Sequence, residues 1–213
     1  MFQLISVKMK GILNKSILIL CVNFCLGQNV FSQEVVKRQN VEHFIDSMYQ
    51  FKDTLRVLSV SNYDIEILPS KLYEFKNLEE LYLRNLNIKK IDSDINKLSK
   101  LKVLSLANND LSSFPTEILN NSDLRKVDLT FNNIIELPNG INKLVKLEKL
   151  WIGGQKNELV KVSEDFYKLS NLTFLSCCIL DELLLKKITH NANFIDTECV
   201  LNLNSCKKQL RDW

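Results

Sequence analysis

The chain has 213 residues, 46% apolar and 25% charged, with only 5 Gly and 3 Pro; this fits one folded domain and leaves no composition for a long flexible linker. Its net charge of +3 comes from Lys8, Lys10 and Lys15 in the segment 1–32, which holds no acid, so residues 33–213 carry 25 basic and 25 acidic side chains. A formally neutral body lacks the clustered Lys and Arg that neutralise phosphate, which argues against nucleic acid as a partner.

The first element, residues 1–32, reads as a signal peptide. A lysine-bearing start precedes the apolar run from Ser16 to Gly27, and small residues follow at two cleavage points, Ser32 before Gln33 and Gly27 before Gln28. The run is shorter than the roughly 20 residues that span a bilayer. Met9-Lys10 opens a more compact signal of the same design. Leu20 and Phe24 precede Cys21 and Cys25, where a lipoprotein signal has a small residue. The expectation is an exported chain, secreted or in the cell envelope (periplasm or cell surface), with no transmembrane segment in the mature chain.

Residues 33–54 form the next unit. Val41, Phe44, Ile45 and Met48 recur at helical spacing, which predicts a capping helix over roughly 36–52. A repeat follows. The spacing of Leu55, Leu58 and Val60 returns at Leu78-Leu81-Leu83, Leu101-Leu104-Leu106, Leu124-Val127-Leu129 and Leu147-Leu150-Ile152, with starts evenly spaced at positions 55, 78, 101, 124 and 147. A sixth copy, Leu172-Leu175-Cys177, starts slightly late at position 172. The other half of the period agrees: Leu68-Pro69…Leu72…Phe75 matches Leu137-Pro138…Ile141…Leu144, with Ile91…Ile95…Leu98, Phe114-Pro115…Ile118 and Val162…Phe166…Leu169 in register. All three prolines fall at this one position. Period-two alternation makes a short strand with one buried face, which a single unit cannot cover alone. Stacked copies form a parallel sheet around a continuous core.

The segment Leu101-Lys102-Val103-Leu104-Ser105-Leu106-Ala107-Asn108-Asn109-Asp110-Leu111 resembles the leucine-rich-repeat motif L-x-x-L-x-L-x-x-N-x-L at every position, and the second half matches its L-P-x-x-I-x-x-L tail. The resemblance covers residues 55–178 and implies an α/β leucine-rich-repeat solenoid: a curved parallel sheet of about six repeats with N- and C-terminal caps, in a bacterial-looking secreted member. The family's Asn position, structural under the resemblance, is filled by Asn109 and Asn132. Tyr63, Leu86 and Gln155 take it elsewhere, so those turns are expected to be less regular.

Residues 179–213 would be the C-terminal cap. Leu180, Leu183, Leu184 and Ile188 suggest a helix, and Cys199, Leu201 and Leu203 alternate as in a last edge strand. Four cysteines remain after the leader: Cys177, Cys178, Cys199 and Cys206. Export permits disulfides among them, in one of three pairings, and the resemblance implies a disulfide-braced cap. The register puts Cys177 in the core, where it also substitutes for Leu as a small apolar residue, and Cys178 on the concave face. Paired C-x-x-C spacing for zinc is missing, so no metal site is expected.

No catalytic constellation stands out. His43 lies in the presumed cap and His190 after the terminal helix, neither near a nucleophile motif, and no phosphate-binding glycine motif occurs. The chain is therefore expected to be non-catalytic and to need no cofactor. Binding would use the outward strand residues, which fall in three columns. The central one is Ser59, Tyr82, Ser105, Asp128, Trp151 and Ser176. The next is Ser61, Arg84, Ala107, Thr130, Gly153 and Cys178. The preceding one is Val57, Glu80, Val103, Lys126, Lys149 and Phe174. Large aromatics and Arg dominate protein interfaces, so Tyr82, Arg84, Phe131 and Trp151, with Lys126, Asp128 and Lys149 beside them, form the candidate contact set. The lengthening of the fifth repeat enlarges the loop at Gly153, Gly154 and Gln155, beside that set. The expected partner is a protein or peptide on the concave face. The alternatives are a glycan stacked on Trp151 and Tyr82, as on an adhesive surface protein, and the substrate-recognition part of an enzyme.

Overall fold

The computed structural model of the chain describes residues 41–154, 161–178 and 196–200. The leader, residues 36–40 of the capping helix, the insertion from Gln155 on, the terminal helix, Leu201, Leu203 and Cys206 lie outside them.

Alternation of buried and outward side chains makes each strand. β1 (Val57–Ser61) and β2 (Glu80–Arg84) bury every second residue. The shorter β4 (Lys126–Asp128) and β6 (Lys149–Trp151) repeat the design, while β3 (Val103–Ser105) and β8 (Phe174–Cys178) also bury a small outward residue, Ser105 and Ser176. With β9 (Asp196–Val200) they form one seven-stranded sheet in the order β1-β2-β3-β4-β6-β8-β9, parallel throughout. The pairing Val57↔Glu80, Glu80↔Val103, Val103↔Lys126, Lys126↔Lys149 and Lys149↔Phe174 matches the expected column residue for residue. The edge strand differs from the reading of Cys199, Leu201 and Leu203 in starting at Asp196.

The second half of each period closes as a 3-10 turn. Ser70–Glu74, Ser93–Lys97, Thr116–Asn120, Ile141–Lys143 and Glu164–Lys168 are such turns. Pro69 and Pro115 stand immediately before two of them, where a missing N–H is harmless and a fixed φ is useful. Before Ser93–Lys97 stands Asp92 instead, which caps the turn with its side chain, the carboxylate accepting from the Asp94 N–H at 2.8 Å. A two-stranded parallel sheet, β5 (Glu136–Leu137) with β7 (Lys161–Val162), adds a second ladder.

The core lies between sheet and turns. Leu78, Leu81, Leu83, Leu101, Leu104, Leu106, Leu124, Val127, Leu129, Leu147 and Leu150 have no exposed surface. At the N-terminal end residues 41–48 form an α-helix, followed by the 3-10 turn Tyr49–Phe51. Val41, Ile45 and Met48 are buried against the first repeat, and the Tyr49 ring meets Phe75 edge-on at 6.2 Å.

The turns after the strands carry a finding on the Asn position. Asn109 donates to the carbonyls of Leu83 and Leu106, both at 2.8 Å, and accepts from the N–H groups of Leu86 and Ile88 at 3.1 Å. Asn132 likewise reaches the carbonyls of Leu106 and Leu129 and the N–H of Leu111. Each asparagine thus serves its own turn and the preceding one. Leu86, fully buried, sits in a turn kept regular by the next repeat's Asn109, contrary to the expectation of irregularity there.

Candidate concave binding face

The concave face is made by the outward strand residues, and its depth comes from their sizes. In the middle stand Val103, Ser105 and Ala107, short side chains that leave the sheet low. One strand away Tyr82 rises on β2. On the other side Trp151 rises on β6, backed by Phe174 of β8 at 5.3 Å between ring centroids. Between these walls lies a depression of about 430 Å³. The side chains expected to make contacts, Tyr82, Arg84, Lys126, Asp128, Phe131, Lys149 and Trp151, all border it. Val103, Ala107, Thr130 and Phe174 stand in the outward columns read from the sequence but outside the expected contact set; here the first three line the trough and Phe174 backs Trp151. The column positions carried that signal, because small residues flanked by large ones in one column imply a trough.

Asp128 is the hub of the floor. One carboxylate oxygen accepts from Ser105 Oγ at 3.0 Å and Arg84 Nη2 at 3.3 Å, the other from the Thr130 N–H at 3.1 Å and its hydroxyl at 2.8 Å. Arg84 Nε donates to Ser105 Oγ at 2.8 Å, and the guanidinium lies 5.5 Å from the Tyr82 ring centre. Donors converging on one carboxylate from both sides orient it and fix the fork of Arg84. The Tyr82 hydroxyl donates to Glu80 at 2.7 Å. Burial first, then the neighbouring Glu80 carboxylate, pushes the phenol up to about 12, so it stays a donor.

Phe131 occupies an unusual place. Positions 62, 85, 108, 131 and 154 recur at the repeat period, and all five have positive φ: Asn62 63°, Asn85 57°, Asn108 55°, Phe131 55° and Gly154 65°. Asn and Gly are the residues that tolerate the left-handed region; a bulky side chain there is strained. The asparagines form a side-chain ladder, Asn108 to Asn85 at 2.9 Å and Asn85 to Asn62 at 2.6 Å. Phe131 interrupts it and leaves its ring 38% exposed at the trough. Its N–H donates to the Gly153 carbonyl at 3.1 Å, which ties the start of the fifth-repeat loop to the site.

His43 is exposed on the N-terminal helix, far along the chain from this face, and His190 lies outside the described residues. Among the described residues no group of three His, Cys, Asp or Glu is placed to hold a metal ion, and no helix is long and apolar enough to cross a membrane. Cys177 is buried in the core, as its register implied, and its Cα partner on β9 is Cys199. Cys178 pairs with Val200 in the same ladder.

Among known proteins, a leucine-rich-repeat protein of Leptospira interrogans superposes with a TM-score of 0.55 at 30% identity, over 60% of this chain and 32% of that one. An internalin, InlF of Listeria monocytogenes, gives 0.51 at 19% identity, over 68% of this chain and 47% of that one, a likeness of fold alone. The chain therefore spans about a third to a half of the length of these solved structures. No curated protein matches. The family described as "Leucine-rich repeat region" matches residues 35–208. That match covers most of the sequence and includes every strand of the sheet, so the chain belongs to the leucine-rich-repeat family.

Proposed function

We propose that this chain is an exported, non-catalytic protein-binding module that holds a polypeptide partner on its concave face. The trough carries the reading: Tyr82, Phe131 and Trp151, side chains of the kind that anchor interfaces, converge on one depression otherwise floored by small residues. The strain at Phe131 supports it. Strained positions cluster where function uses the side chain, and an aromatic ring replaces the ladder's Asn only at the trough. Export rests on the pattern of residues 1–32. The cysteines are consistent with it, because parallel neighbours place Cα atoms about 4.8 Å apart, inside the range a disulfide requires, and Cys177 and Cys199 are such neighbours.

The test is site-directed photo-cross-linking in a native-like host, with the reactive group at position 126 on the concave face and at Lys97 on the opposite side. Polypeptide adducts at 126 and none at 97 are expected. Equal adducts at both positions, or carbohydrate adducts alone, would overturn the reading. Intact mass with and without reduction reports on export: a chain that has lost the leader supports it, and a full-length chain with free thiols refutes it.

A further inference from the structure

We propose that the segment held in this trough presents an acidic side chain, Asp or Glu, to Lys126 and Lys149; the proposal rests on the polypeptide-binding reading above. These two lysines are register partners on neighbouring strands of the same face. Like charges set directly opposite each other destabilise a sheet. Among the described residues neither side chain forms an ion pair, and the Lys149 ammonium lies over the Phe174 ring at 5.8 Å.

Elsewhere the chain resolves the same problem internally. Lys102 and Arg125 also stack one repeat apart, but each has its own glutamate: Lys102 meets Glu79 at 2.6 Å and Arg125 meets Glu148 at 2.6 Å. Lys89 and Lys146 have Glu66 and Asp123. Among the described side chains, the concave-face carboxylates are already engaged, Asp128 by Ser105, Arg84 and Thr130 and Glu80 by Tyr82. An anion carried by the ligand would satisfy both lysines, and the site would take it beside Trp151 and Phe131, which line the same trough. An extended segment repeats its side chains on one face about every 6.6–7 Å, so an acid between the lysines and an apolar neighbour against the aromatic rings fit one short stretch of chain. A sugar is a poorer match, because the polar groups of the floor, Arg84, Ser105, Asp128 and Thr130, are bonded to one another.

The test pans a bead library of randomised, end-blocked decapeptides against the full chain and against K126E/K149E, with circular dichroism to confirm folding. The wild type is expected to select peptides that carry Asp or Glu next to an aromatic or aliphatic residue. The charge-reversed variant should select Lys or Arg in their place and bind the acidic peptides more weakly on the order of tenfold. The milder K126Q/K149Q guards against a folding defect. It should abolish the salt dependence of acidic-peptide binding while retaining the apolar preference. Selected peptides without acid enrichment, or an enrichment that both variants leave unchanged, would sink this inference and leave the polypeptide-binding reading standing. Selection of no peptide at all, with acidic oligosaccharides retained instead, would overturn both.

Discussion

At the scale of single residues, Phe131 separates what the fold wants from what a binding face wants. The other residues in its column are Asn or Gly, and their left-handed φ is what the turn demands. Holding a phenyl side chain there costs about 1–2 kcal/mol, and the Asn108 side chain loses its next neighbour in the ladder. Phe131→Asn should therefore raise stability by about 1 kcal/mol, a shift of about 2–4 °C in melting temperature for a domain of this size. It should also weaken binding to the concave face by roughly tenfold, as loss of an aromatic anchor does. Calorimetry on one protein preparation reads both quantities. A variant that melts lower would refute the strain argument, and one that binds unchanged would remove Phe131 from the site. The strain was legible in the sequence only in retrospect: the column Asn62, Asn85, Asn108, Phe131, Gly154 can be read from the repeat period, but its positive φ cannot.

At the scale of elements, the register of the strands was fully legible and the form of the turns was not. Leu-x-Leu alternation at a fixed period admits one alignment, because slipping by a residue would turn the apolar side out. The 3-10 turns have no such signature beyond their prolines. Asn121 shows the limit: it stands where Leu98 and Leu144 are buried and is itself 4% exposed, donating to the carbonyls of Ile95 and Leu98. A polar residue in an apolar column reads as exposed until its backbone partners are seen. The period also fixes the surface. Arg56, Glu79 and Lys102 line up immediately before successive strands, with Glu79 paired to both neighbours, and Asp123 pairs with Lys146. The hydrogen bond from Lys102, then its charge and that of Arg56, hold Glu79 below the ordinary 4.5, and Lys146 holds Asp123 below 3.8. Carboxylates lowered on folding stabilise the chain above their unfolded values, and that contribution is lost as pH falls through the folded values. The melting temperature should be steady at neutral pH and decline on acidification below 4.5. E79Q/D123N should melt lower than the wild type at neutral pH, and the gap should close in acid and shrink in high salt. A gap that is independent of pH would mean that these ladders work by packing rather than charge.

At the scale of the whole molecule, the repeat makes fold and site separable in a way a globular core does not allow. Each repeat touches only its neighbours, so an added in-phase copy extends the solenoid without disturbing the rest. The trough, however, depends on the order of four particular strands, β2, β3, β4 and β6, because Arg84 must reach across β3 to Asp128. A second copy of residues 101–123 inserted after Asp123 keeps every strand in register and adds about 4.8 Å between the Tyr82 wall and the Trp151 wall. Arg84 would still meet a Ser105 but would no longer reach Asp128. A second copy of residues 55–77 inserted after Asn77 lengthens the solenoid equally and leaves β2 to β6 contiguous. Both insertions should fold, with a denaturant dependence steeper than the wild type because more surface is buried. Only the first should lose affinity for a concave-face ligand. The lysine pair and the rings of Phe131 and Trp151 survive in it, so the loss measures what the far wall contributes. If both insertions bind as the wild type does, the ligand contacts only the Lys126–Trp151 side and the trough is wider than its occupant. If both lose binding equally, the determinant is the overall curvature of the sheet rather than the four-strand trough.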